Sequence, residues 1–272
     1  MSDAVLAERW SARAAAQSAL SASAVAWFVP AMIGQWLFAY HVVREYGATA
    51  LAGNIGAWNE RLFVGLVEGD LAGNIALVVH LIIAFVVTVG GTLQLIPAIR
   101  ARAPAFHRWN GRLYILLAFV TSIAALYMVW TRDTFGPDTL ELSVSLNAVL
   151  IMAFAALTWR HAMARRFDLH HRWALRTFMV MSGVLFLRVI YACIGVATQG
   201  AMAPGIGSEM DGPVDLVISL SSFLLPLAVL ELYLWAGRRK GAVAKLTAAS
   251  VVFLAAGATS LGVFGLAIGW LS

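Results

Sequence analysis

Six histidines and a few arginines inside apolar runs are the residues of this chain that could do chemistry. His80 lies between Leu77 and Val87 in an apolar stretch. There a neutral imidazole is costly unless it is used, and it is the usual protein ligand for haem iron and several other metals. Gln94 follows 14 residues later, close to four helical turns, so the two share a helix face about 20 Å apart. Membrane b-type cytochromes place two histidines at such an interval. With glutamine at the second place, at most one bis-histidine haem is expected on this face. Gly90 and Gly91 between them leave room for a flat macrocycle or for another helix. Arg188, within Phe186–Ile190, is expected near the depth of His80 and has to pair or reach water. Asp215 is one candidate partner; an anionic group on a haem, quinone or lipid is another.

The remaining chemistry sits in a motif that occurs twice. His-Arg-Trp-x-x-Arg begins at His107 and again at His171, ending at Arg112 and Arg176. Each copy closes one apolar span and opens the next. Four histidines, His107, His161, His170 and His171, gather at these hinges with arginines beside them. They could hold a metal, a haem with its propionates, or a phosphate. They could equally do no more than anchor helix ends among lipid headgroups. His41 marks the opposite end of the first span, and Glu231 is expected to pair with a hinge arginine. Asn147 takes roughly the place of His80 in the second copy, so the two copies are not equivalent.

The elements that position these residues are membrane spans. The chain is 61% hydrophobic and 12% charged, and its apolar runs exceed the ~20 residues that cross a bilayer. One cysteine, Cys193, leaves no internal disulfide and no cysteine-rich metal site. Nucleic acid is not implied by the basic composition, because the basic residues lie in short loops between spans.

Seven spans are expected in one integral membrane domain. Residues 1–18 read as an amphipathic lead-in on the membrane surface. Residues 19–73 hold the first span, kinked at Pro30, and a loop with a surface-lying helix around Leu62-Phe63 and Leu66-Val67. Residues 74–198 hold spans two to five, and residues 199–272 the last two, with Pro226 kinking the sixth. The hinges lie 64 residues apart, so spans two and three, and four and five, read as tandem parallel repeats forming an all-α four-helix bundle. An acidic link, Arg132 to Thr139, joins the repeats. On the hinge side lie 15 of the 19 basic residues, and the opposite loops hold 10 of the 14 acids. The positive-inside rule then gives an N-inside, C-outside protein. Gly257, Gly262, Gly265 and Gly269 mark the last span for close packing within the chain or against a second copy.

With these motifs in hand, the chain resembles the family known as domain of unknown function 2306. The likeness runs from Asn74 to Ala197, through Gly-Thr-Leu-Gln-Leu-Ile-Pro, the Pro104-x-x-His107-Arg-Trp-x-Gly-Arg112 hinge, and His171-Arg-Trp-x-x-Arg176 followed by Leu187-Arg188. The resemblance implies a multi-pass protein of the bacterial inner membrane without an established activity. It marks His80, Gln94, His107, Arg112, His171, Arg176 and Arg188 as the residues to test.

The leading expectation is a haem b or metal-binding redox protein. His80, His107 and His171 would be ligands, with Gln94, Arg112, Arg176 and Arg188 around the cofactor. The first rival is a proton or small-molecule transporter lined by His80 and Arg188. The second is a non-catalytic, lipid-binding subunit of a larger complex, held by anionic headgroups at the hinges and by a partner on the last span. These residues leave open whether the protein is an enzyme.

Overall fold

The computed structural model describes residues 3–62, 64–132, 138–201, 203–207 and 212–271, and for 3–10, 132 and 138–139 the backbone alone. Most of the acidic link, Phe63 and residues 208–211 lie outside the described residues. The described residues are helical, with no strands. Among the described residues six helices are long and apolar enough to cross a membrane, and a bent pair makes a seventh if taken as one span.

The first span corrects the expected lead-in. One helix, α1 (Asp3–Val42), runs without a break through both. Beyond it the chain stays helical through a π turn (Val43–Gly47), α2 (Ala48–Leu51) and a 3-10 turn (Ile55–Glu60). No surface-lying helix forms around Leu62 and Leu66. Both side chains instead pack with Tyr46 around buried Trp58, Leu77 and Met128. Trp58 is fixed there because its indole N–H donates to the Tyr46 carbonyl (3.2 Å) and the Thr49 hydroxyl (2.9 Å).

The second span is α3 (Leu71–Leu95), N-capped by Asp70, whose Oδ1 accepts from the Gly73 N–H at 2.9 Å. It stops there because of Pro97. A proline ring has no N–H to donate and pushes the preceding residue to extended backbone, which Ile96 adopts (φ −77°, ψ 113°). A short α4 (Pro97–Arg102) follows, and Pro104 then opens α5 (Pro104–Arg132). The first hinge motif is therefore the opening turns of α5. The second repeats this arrangement in α7 (Phe167–Met181). It follows α6 (Asp138–Met163), which ends beside Arg165 in the left-handed region (φ 55°).

The fifth span was expected as one helix and is two. α7 and α8 (Gly183–Ala197) meet at Ser182 with a 52° bend. Serine followed by glycine is a recurrent kink site, because glycine has little helix preference and serine bonds back to its own helix. Here Ser182 Oγ donates to the Phe178 carbonyl at 2.8 Å. The last spans are α9 (Pro213–Gly237), containing Pro226, and α10 (Ala242–Leu271).

The spans close a circuit. α1 packs on α3 and α10, α3 on α5, α5 on α6, and α6 on α7; α9 and α10 then complete the return. Spans two to five thus form no separate unit, because the main neighbours of α3 are α1 and α5. Two glycines of α10 serve this packing. A Cβ at Gly262 would stand 2.6 Å from the Val189 carbonyl and one at Gly265 3.2 Å from Val196, both on α8, whereas Gly257 and Gly269 face open space.

Candidate functional site

Polar groups follow the interior of this circuit from the hinge face outward. At the hinge, Gln94 Nε2 donates to the His107 carbonyl at 3.0 Å and Asn110 Nδ2 to the Gly90 carbonyl at 2.9 Å. These bonds answer what the two glycines admit. A Cβ at Gly90 would lie 2.9 Å from Asn110 Oδ1, and one at Gly91 2.8 Å from the Tyr114 ring. The guest is α5, not a macrocycle. Between these two levels of α3, the Trp36 indole N–H donates to Thr92 Oγ1 at 2.9 Å.

The next level is the break in the fifth span. Gln35 Nε2 donates to Ser182 Oγ at 2.7 Å, and both residues are buried. Together with Thr88, Tyr114, Phe178 and Met181 they line a cavity of about 10 Å³, the room that one water needs. Four elements, α1, α3, α5 and the α7–α8 junction, meet at it. From the other side Asn147 of α6 approaches Gly183, and its Oδ1 is buried without a hydrogen-bond partner. None of Gln35, Thr88, Tyr114 or Ser182 stood out in the sequence as a site residue. The available signals were the Ser-Gly pair inside an apolar run and a lone glutamine in the first span.

Beyond the break stand the two intramembrane residues that the sequence singles out. Arg188 lies six residues past Ser182, about 9 Å of helix. Of the two candidate partners, Asp215 is not paired with it. Asp215 is fully buried, accepts from the Tyr191 hydroxyl, and takes the backbone N–H groups of Gly207 and Gly212 at 2.8 and 2.9 Å. A carboxylate so engaged at the start of α9 serves the helix end. Arg188 instead donates to the Val184 carbonyl at 3.0 Å and lies 5.0 Å over the Phe38 ring. Among the described residues no carboxylate pairs with it. His80 keeps a buried Nδ1 without a partner. At the far end His41 stacks on Trp270 at 4.4 Å, and Glu45 is held by Arg61 at 2.6 Å.

His107 and His171 both lie within electrostatic reach of Arg100 and His170. His170 Nδ1 is 3.1 Å from the Thr158 carbonyl. Each closing arginine lies over the tryptophan three residues before it, Arg112 at 4.8 Å over Trp109 and Arg176 at 4.6 Å over Trp173. Arg176 also forms a two-pronged pair with Glu231, at 2.5 and 2.8 Å. The expected bond between Glu231 and a hinge arginine is thus present.

These distances limit the metal and haem expectation. His80 is four turns of α3 from Gln94, which is tied to His107, so His80 cannot share one ion with His107 or His171. Among the described residues no three His, Cys, Asp or Glu side chains converge as a metal set. A haem laid between His80 and Gln94 does not fit, because Gln94 is engaged and α5 fills the face at Gly90 and Gly91. Within the span, the histidine nitrogen left without a hydrogen-bond partner is His80 Nδ1, as are those of His41, His107 and His161 toward the two faces.

Comparison with known proteins adds one match. No curated protein and no solved structure matches the chain. The model of a family described as "Predicted membrane protein (DUF2306)" matches residues 77–234, from the second turn of α3 almost to the end of α9. It takes in both hinges, the break and Glu231, and extends beyond the likeness read from the motifs. Over half of the chain lies within that match, and the protein belongs to the DUF2306 family of membrane proteins.

Proposed function

We propose that the protein is a transport module that passes protons or another small polar species through the polar interior of its helical circuit. The observation that carries this reading is the break at Ser182. A spanning helix is bent near its middle, beside a small pocket lined by the buried side chains of Gln35, Thr88 and Tyr114. The backbone stays bonded through the bend, with the Ser182 N–H on the Phe178 carbonyl and the Phe186 N–H on the Ser182 carbonyl, both at 3.0 Å, so what the bend offers is the polar lining beside it. In transporters, discontinuities of spanning helices lie at the site of passage. Hydroxyl and amide groups in succession can relay a proton through one intervening water. The test is purified protein in vesicles carrying a trapped pH-sensitive dye and an imposed proton gradient. Dissipation faster than in empty vesicles, and lost in Gln35→Leu, is expected. Rates equal to those of empty vesicles would sink the reading.

A second reading rests on His80. Its buried, unpartnered Nδ1 is what a haem or metal ligand presents before loading. Here the chain would be a redox protein with His80 as its single firm ligand. Reduced-minus-oxidised visible spectra of purified protein, with metal analysis of the same sample, decide this. Sharp bands lost in His80→Ala would establish it, and a featureless spectrum without bound metal would remove it.

A further inference from the structure

We infer that Arg188 of α8 is a binding site for the carboxylate of an organic acid. A guanidinium inside a span needs a counter-charge, because an ion left alone in hydrocarbon is costly. Among the described residues no carboxylate supplies one. Asp215, the acid at the start of α9, is taken up by the Tyr191 hydroxyl and two backbone N–H groups.

The guanidinium is nevertheless held in one pose. Its Nη1 donates to the Val184 carbonyl at 3.0 Å, one turn back along α8, and its centre lies 5.0 Å over the Phe38 ring of α1. Phe38 is itself fixed, buried in a cluster with Val42, Leu185 and Val189. Tyr46, from the π turn after α1, packs on that cluster and stands within electrostatic reach of Arg188. With Nη1 engaged, Nε and Nη2 keep N–H groups that no protein atom accepts from. These two nitrogens form the side-on edge of the fork. Arg176 uses the same edge on Glu231, Nε to Oε1 at 2.5 Å and Nη2 to Oε2 at 2.8 Å. The edge that grips a carboxylate of the protein at Arg176 is turned, at Arg188, to a ligand from outside.

The place can be reached. α8 packs on α10, α9 and α1, and the side of it that bears Arg188 stays open. Val184, one turn before, is 43% exposed, and a Cβ at Gly195, two turns after, would meet nothing within 4 Å. A planar carboxylate suits the fork in two-pronged fashion. The rings of Phe38 and Tyr46 beside it suit an acid with an apolar body.

The acid can be a short soluble one or a fatty acid of the bilayer, and one experiment separates the two. Full-length protein in non-ionic detergent is titrated with sodium butyrate, benzoate or laurate, against sodium chloride at equal ionic strength, and the thermal midpoint is read. A saturable rise with at least one acid is expected, as for any ligand that binds the folded state alone. Arg188→Lys keeps the charge and loses the fork, and about tenfold weaker binding is expected. Arg188→Met removes the unpaired charge, and is expected to fold and to lose the rise altogether. Arg239→Lys, at an exposed guanidinium 4.8 Å over Trp235, is expected to change the affinity by less than about twofold. Affinity unchanged in Arg188→Lys or Arg188→Met would overturn the site, as would no rise with any of the three acids. A rise with butyrate or benzoate would assign it to soluble acids, and one confined to laurate to fatty acids. The readout is binding, so it stands whether or not protons cross in the vesicle test.

Discussion

The two hinges share one turn of structure and differ in everything that holds it. In both, His-Arg-Trp-x-x-Arg opens a helix and the last arginine covers the tryptophan, at 4.8 Å in the first copy and 4.6 Å in the second. The first hinge is held by backbone approach. Gly90 and Gly91 let α5 come close enough for Asn110 and Gln94 to cross-link the two helices, and Arg112 stays exposed without a carboxylate. The second is held by charge, through the Arg176–Glu231 pair to α9. One motif therefore leaves its basic residues open to a ligand in one copy and ties its arginine into the fold in the other.

Each anchor can be broken by itself. Gly91→Val should have the largest effect, because its Cβ alone would stand 2.8 Å from the Tyr114 ring and overpacking at such a site costs about 1–3 kcal/mol. A clear fall in the thermal midpoint of detergent-purified protein is the expected result. Glu231→Gln comes next. The arginine side is 15% exposed and the glutamate side 43%, so the loss is about 1–2 kcal/mol, less than for a fully buried pair. Gln94→Leu should cost about 1 kcal/mol by removing one helix-to-helix hydrogen bond. Arg112→Gln should be the mildest, below about 1 kcal/mol, since only an exposed cation–π contact is lost. If Arg112→Gln proved as damaging as Glu231→Gln, the contrast between the hinges would fail.

The spans and the duplicated motif were legible in the sequence because hydropathy and a repeated six-residue pattern are local signals. So was a bond from Glu231 to a hinge arginine, since a lone acid near one end of an apolar span has few partners; that the arginine is Arg176 came from the packing of α7 on α9. The Asp215–Arg188 pairing went wrong for a physical reason. A carboxylate in the first turn of a helix can be satisfied by backbone N–H groups and a nearby hydroxyl, and depth along the helix axis says nothing of that competition. The cavity was hidden because Gln35, Thr88, Tyr114 and Ser182 come from four distant segments, each with a single polar residue in an apolar run. Only the circuit of helices brings them together.

The central claim is that water reaches the break in the fifth span. Hydrogen–deuterium exchange of the full-length protein in lipid nanodiscs tests it most directly. Amides from Ser182 to Val184 should exchange faster than those of the unbroken middle turns of α5, Ile115 to Phe119, at the same bilayer depth. Equal and lasting protection in both segments would contradict the claim and leave the break a purely structural bend.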